Sequence, residues 1–409
     1  MTPHVSASGD SLTARLQSPH LVAKFQRYFG VELKHEETWK ANGTTSNGVP
    51  SSRFQRSNSH RQSSPAIKRQ NSRTADPHPD PSYVIRYRLW YYLFSFGASL
   101  GYETFYATFF PMWFWNIDSA VGRRMVLLWV IVMYVGQALK DVIRWPRPAS
   151  PPVVSLEPEY AIEYGMPSTH AMVGIALPFS MVIFTSDRYE YPLWVGVMAA
   201  CTWCLLVCGS RLYLGMHSVL DVLAGLLLAS GLMAVLVPLI DVVDYWHLRS
   251  VYSPLVTTIV ILVISIFYPK RDSWSPARGD TSVITGAGAG ILLGCWLNYQ
   301  LGIVRGPELE PPFPIMWPGN DVAGLALLRA MIGILLLLGS RLIGKLVGLN
   351  GLCYIRGLDA SDATTLKRVS VEVPQKLITY VTLGMTITFL SPCVFRHLGI
   401  ERATMFTEV

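Results

Sequence analysis

The stretch SRLYLGMHSVLDVLAGLLLASGLMAVLVPLI, residues 210–240, carries both the fold and the chemistry of this chain. From about residue 218 it is an apolar run long enough to cross a membrane as a helix, for which about 20 residues suffice. At the mouth of that run stand Ser210, Arg211, His217 and Asp221. Polar groups at membrane depth are costly and are usually retained for function.

Two more clusters of the same character lie upstream. KDVIRWPRP brings Lys140, Arg147 and Pro148, and PSTH brings Pro167, Ser168 and His170. Each sits at the end of an apolar segment. Together the three clusters supply three fixed cations, two imidazoles and one carboxylate in an otherwise greasy chain.

Composition agrees with a membrane setting. Of 409 residues 51% are hydrophobic and only 15% charged, against about a quarter charged in soluble domains. The expectation is an all-α, polytopic membrane protein with about nine transmembrane helices, near 89–114, 124–143, 169–185, 192–209, 218–240, 254–268, 282–301, 322–346 and 376–394. The third and sixth are short for a crossing. Gly286, Gly290 and Gly294 recur at four-residue spacing in the seventh, which predicts a close helix–helix contact. The six cysteines lie mostly in apolar runs and are expected to be free, buried thiols.

Three regions follow. Residues 1–82 form a mostly disordered basic tail rich in Ser, Asn, Pro and Arg, with a short amphipathic helix at 18–30. That helix suits either a membrane surface or a cap on the protein itself. Arg53, Arg56, Lys68, Arg69 and Arg73 among Ser57, Ser59 and Ser72 suit basophilic kinases, and Asn42 opens the only glycosylation sequon. Residues 83–240 are the catalytic membrane core, and 241–409 add C-terminal helices. The first 80 residues hold no apolar core fit for a cleavable signal, so the first span is expected to direct insertion. The net charge of +7 arises mainly in the tail; it points to anionic membrane lipids and not to nucleic acid.

Because spans alternate in direction, all three clusters emerge on one membrane face. Lys140, Arg144 and Arg147 would share a helical face if their helix continued that far. PSTH opens the third span, so its amides form an oxyanion site at a helix N-terminus. His217 and Asp221 are four apart on one face of the fifth; the carboxylate can hold one ring nitrogen and leave the other as a nucleophile toward phosphorus. His170 can protonate the leaving alkoxide. Lys140, Arg147 and Arg211 neutralise the charge that spreads over the phosphoryl oxygens. Taken singly, each residue has a plainer explanation: a histidine that caps, a cation that snorkels, an aspartate awaiting a metal with no third ligand placed nearby. Jointly, and in this order, those explanations fail. Arg144 stands outside the pattern.

The spacings K-x6-RP, PS-x-H and SR-x5-H-x3-D resemble the three-part signature of the type 2 phosphatidic acid phosphatase superfamily. The resemblance implies a helical core in which His217 is the nucleophile, Asp221 its orienting acid and His170 the leaving-group acid. It implies phosphate binding by Lys140, Arg147, Ser168 and Arg211, with the Thr169 amide contributing, and neither metal nor other cofactor. Thr169 departs from the glycine common at that place. WPRPASPPVV, EYGMPSTHAM and HLVAKFQRYFG narrow the likeness to sphingosine-1-phosphate phosphatases, along nearly the whole chain.

The implied substrates are sphingosine 1-phosphate and related sphingoid-base phosphates. Glu157, Glu159 or Glu163 could meet the substrate ammonium, with Glu163 the candidate singled out. Alternatives are another lipid phosphate (lysophosphatidate or a polyprenyl diphosphate), or a transporter or scaffold that binds without turnover. Counting loop cations places the site on the cytosolic face, whereas the resemblance implies the lumen of the endoplasmic reticulum.

Overall fold

A computed structural model describes residues 11–34, 83–271, 274–306, 310–315 and 318–408. Asn42 and the tail cations and serines lie outside them. The protein is almost wholly helical. Two short helices, α1 (Leu12–Gln17) and α2 (Pro19–Tyr28), precede a small antiparallel pair of β1 (Val31–Leu33) with β2 (Tyr83–Ile85). The body follows as α3 (Arg88–Ser99), α4 (Glu103–Asn116), α5 (Ser119–Ile143), α6 (Thr169–Ser186), α7 (Leu193–Tyr213), α8 (Val219–Arg249), α9 (Ser253–Ile266), α10 (Pro276–Gln300) and α11 (Asn320–Arg356). After α12 (Ala363–Leu366), α13 (Val369–Met385) runs through a π-helical turn, Thr386–Leu390, into α14 (Ser391–His397). A two-residue pair, Tyr189–Glu190 with Phe313–Pro314, ties the α6–α7 turn to the segment before α11.

Among the described residues seven helices are long and apolar enough to span a membrane: α5, α6, α7, α8, α10, α11 and the continuous α13–α14 unit. Length and composition alone therefore do not confirm the expected nine. The segment near 89–114 is broken at Leu100–Tyr102 into α3 and α4, neither long enough alone. The sixth segment is α9, only 14 residues, or roughly 21 Å of rise against a hydrocarbon layer of about 30 Å.

The N-terminal helix is a cap on the protein. Val22, Ala23 and Gln26 are its buried face. Gln26 donates to the carbonyls of Val154 and Tyr213 at 2.7 and 2.9 Å and accepts the Val154 N–H. Those backbone groups draw Gln26 inward, and Leu21 and Tyr28 turn outward. Phe25 and Phe29 pack on Phe94 and Trp90 of α3.

The glycine stripe of α10 meets α13. A side chain at Gly290 would collide with the Val381 carbonyl, and one at Gly294 with the Thr388 hydroxyl. Only glycine lets the two backbones approach so closely. Near Thr388, Arg123 and Asp244 pair at 2.9 Å, both buried. Glu408 accepts the Ser119 N–H at 2.6 Å there and locks the chain's end onto α5. All six cysteines are free.

Candidate active site

Lys140 occupies the last turn of α5. The helix does not continue to Arg147: Arg144 adopts a left-handed conformation (φ 55°) and ends it, so the shared helical face expected for Lys140, Arg144 and Arg147 does not form. Arg147 arrives instead on the following loop. Arg144 turns away and donates to the carbonyls of Asp141 and Lys270.

The three sequence clusters nevertheless converge on one face. Arg147 donates to the Glu163 carbonyl at 3.0 Å and the Met216 carbonyl at 2.8 Å, fastening all three loops together. The Ser168 N–H reaches the Asp221 carbonyl at 3.1 Å, and the Gly165 N–H the Trp145 carbonyl at 2.7 Å. Ser168 caps α6 by accepting the Ala171 N–H. Asp221 caps α8, since its carboxylate accepts the Ser218 N–H while Ser218 accepts its own.

These connections enclose a cavity of ≈ 210 Å³. Lys140, Arg147, Thr169, His170, Arg211 and His217 line one end of it. Ser168 and Asp221, also expected here, stand behind that wall and do not line it. His170 presents a buried Nε2 with no partner, edge-on to Tyr102 at 5.5 Å. His217 is 1% exposed, and its Nδ1 lies 3.8 Å from Asp221, longer than a hydrogen bond. Arg211 is buried, with Nε and Nη1 unspent.

Two loop carboxylates already touch the cations. Glu163 contacts Lys140 at 3.1 Å and Arg147 at 3.7 Å, and Glu157 contacts Arg211 at 3.2 Å. Tyr102 donates to Glu157. Glu163 is 9% exposed and so is no solvated loop charge; the Glu159 side chain lies outside the described ones.

The loop groups titrate as this burial dictates. Burial, then the Arg147, Arg211 and Lys140 charges, push His217 well below its ordinary value, leaving a neutral imidazole at pH 7. Burial lowers Arg147 to about 10 against the pull of Glu163, so it stays cationic at neutrality. Burial alone would raise Glu163, but Lys140 and Arg147 outweigh it and hold the carboxyl below its usual range. Three cations and two imidazoles thus share one cavity wall, an arrangement chemically able to receive a phosphoryl group.

Several cavity residues escaped the sequence reading. The break after α3 places Gly101 against His170, where any Cβ would collide with Cδ2. Asp280, Ile284 and Ile291 of α10, and Tyr380, Leu383 and Ile387 of the C-terminal unit, complete the wall. No local motif marks them.

Residues 121–244 match the PAP2 superfamily. Over 402 residues the chain is 37% identical to sphingosine-1-phosphate phosphatase 2 of Homo sapiens, covering 95% of this chain and 99% of that protein. The chain belongs to the sphingosine-1-phosphate phosphatase family. Sphingosine-1-phosphate phosphatase 1 of Rattus norvegicus is 45% identical over 314 residues, 76% of this chain and 73% of the relative. A plant relative, lipid phosphate phosphatase delta of Arabidopsis thaliana, is 30% identical over 219 residues, about half of each chain. No solved structure matches. In family terms the matched core runs from α5 to α8, and the wall from α10 and α13 lies beyond it.

Proposed function

We propose that this multi-pass membrane protein hydrolyses sphingosine 1-phosphate and related sphingoid-base phosphates to the free base and inorganic phosphate. One observation carries the reading: a single cavity joins the cations and imidazoles of all three loops to an apolar wall. That shape suits a phosphate on an alkyl chain.

The phosphate enters among Lys140, Arg147 and Arg211, with the amides at the start of α6, capped by Ser168 and including Thr169, completing the cradle. His217 attacks phosphorus through Nε2. The phosphorus–oxygen ester bond breaks, and His170 gives its proton to the departing alkoxide; the incoming phosphate's negative charge favours imidazolium there. Asp221 steadies the positive charge left on the His217 ring. Water then attacks the phosphohistidine, His170 takes the water's proton, and the phosphorus–nitrogen bond breaks to free phosphate and His217. No step calls on a metal.

Glu163 favours an amine-bearing substrate. A carboxylate beside a phosphate dianion is tolerable when a cation arrives with the phosphate, and the ammonium two carbons away is such a cation.

Endoplasmic reticulum residence with a lumenal site is part of the proposal. Gln26 docks α2 on the catalytic loops, so the N-terminal segment shares their face, and glycosylation of Asn42 in microsomes tests that sidedness. Activity is tested by phosphate release from sphingosine 1-phosphate by the purified chain in chelator, beside lysophosphatidate, a polyprenyl diphosphate and a His217→Ala control. Release from sphingosine 1-phosphate first and foremost is expected; equal or better release from the others would overturn the assignment.

A further inference from the structure

Gln137 is buried in α5, 6% exposed, and lines the catalytic cavity. Its side-chain oxygen has no hydrogen-bond partner. An orphaned acceptor in a membrane interior is costly unless a ligand supplies the missing donor. The mechanism above makes no use of it.

Its place along the helix indicates the donor. Lys140, Gln137, Met133 and Trp129 all line the cavity, and spacings of three and four put them on one face of α5. That face descends from a phosphate-binding cation, through one amide, to an apolar floor. Gln137 lies about 4.5 Å along the axis from Lys140 at the usual rise per residue. A sphingoid phosphate has the same order: phosphoryl group, polar substituents on the second and third carbons, hydrocarbon tail. Glu163, contacting Lys140 and Arg147, is the charged partner suited to the ammonium. The neutral amide oxygen suits the neutral donor next to it.

Building on the proposed function, we infer that Gln137 accepts a hydrogen bond from the hydroxyl on the third carbon of the sphingoid base and thereby discriminates among lipid phosphates. A chain lacking that hydroxyl leaves the amide oxygen unpaired in the complex, a penalty that small polar differences impose strongly in dry sites.

The test compares kcat/KM for sphingosine 1-phosphate and its 3-deoxy analogue in the full-length protein, as wild type, Gln137→Leu and Gln137→Glu. The wild type should favour the hydroxylated substrate by roughly 5- to 100-fold. Gln137→Leu should bring that ratio close to one, chiefly through lost activity on the hydroxylated substrate. Gln137→Glu keeps an acceptor and should keep the preference, which separates recognition from folding. A wild type indifferent to the hydroxyl, a leucine variant that preserves the preference, or variants losing both substrates in equal proportion would each overturn the inference. A wild type inert on sphingosine 1-phosphate but active on lysophosphatidate would instead sink the proposed function itself, and the inference with it.

Discussion

The Nδ1 of His217 lies 3.8 Å from Oδ2 of Asp221, and that same oxygen accepts the Ser218 N–H at 2.7 Å. Asp221 is therefore helix cap and imidazole partner at once. Neither His217 Nδ1 nor Asp221 Oδ1 has a hydrogen-bond partner, so a small rotation closes the pair, as catalytic hydrogen bonds often tighten only around substrate. Asp221→Asn retains a capping oxygen and should stay folded, yet lose roughly 10²- to 10⁴-fold in kcat as the ring loses its orienting charge. Turnover kinetics beside a thermal unfolding curve check this; unchanged kcat would remove Asp221 from the mechanism.

His217 is held neutral by burial and then by its cationic neighbours. A depressed imidazole protonates only at low pH, so the acid limb of kcat/KM should fall below pH 6.5, the unperturbed value. Arg147→Met removes one of the charges that depress it. The residual activity should then show an acid limb displaced upward, and an unmoved limb would detach His217 from that arginine.

Glu163→Gln removes a carboxylate that touches both Lys140 and Arg147. Preference for amine-bearing over amine-lacking lipid phosphates should fall by about tenfold, the weight of one charge-assisted contact. Parallel phosphate-release assays read the ratio; an unchanged ratio would dismiss Glu163 as the ammonium partner.

His170→Ala should cost about 10²- to 10⁴-fold on an alkyl phosphate, and far less on an aryl phosphate whose leaving group needs no proton. Gly101→Val should follow the same pattern, because its side chain displaces the His170 ring. Equal losses on both substrates would assign His170 to binding alone.

The convergence of Lys140, Arg147, His170, Arg211 and His217 on one cavity, with Asp221 beside His217, was legible because each cluster sits at a span end and loop-and-helix alternation brings those ends to one face. Arg147 reached the site by another route than periodicity suggested: the left-handed turn at Arg144 is a tertiary choice no helical wheel displays. The break at Leu100–Tyr102 was hidden for a similar reason. It lies where Gly101 closely approaches His170, two residues far apart in sequence. Glu157 was noticed as an acid but not as the partner of Arg211. Asp280, Tyr380 and Ile387 line the cavity from helices more than 50 residues past Asp221, where hydropathy reports only a span. Gly290 shows the converse, since its four-residue spacing announced the contact with Val381 that the fold contains.

The central claim is a covalent phosphoryl group on His217. Rapid alkaline quenching of the enzyme during turnover of sphingosine 1-phosphate labelled at phosphorus, followed by peptide mapping, addresses it directly. The account predicts acid-labile, alkali-stable label on the peptide bearing His217, and none in His217→Ala. Full turnover with no label on the protein, or label on a different residue, would contradict it.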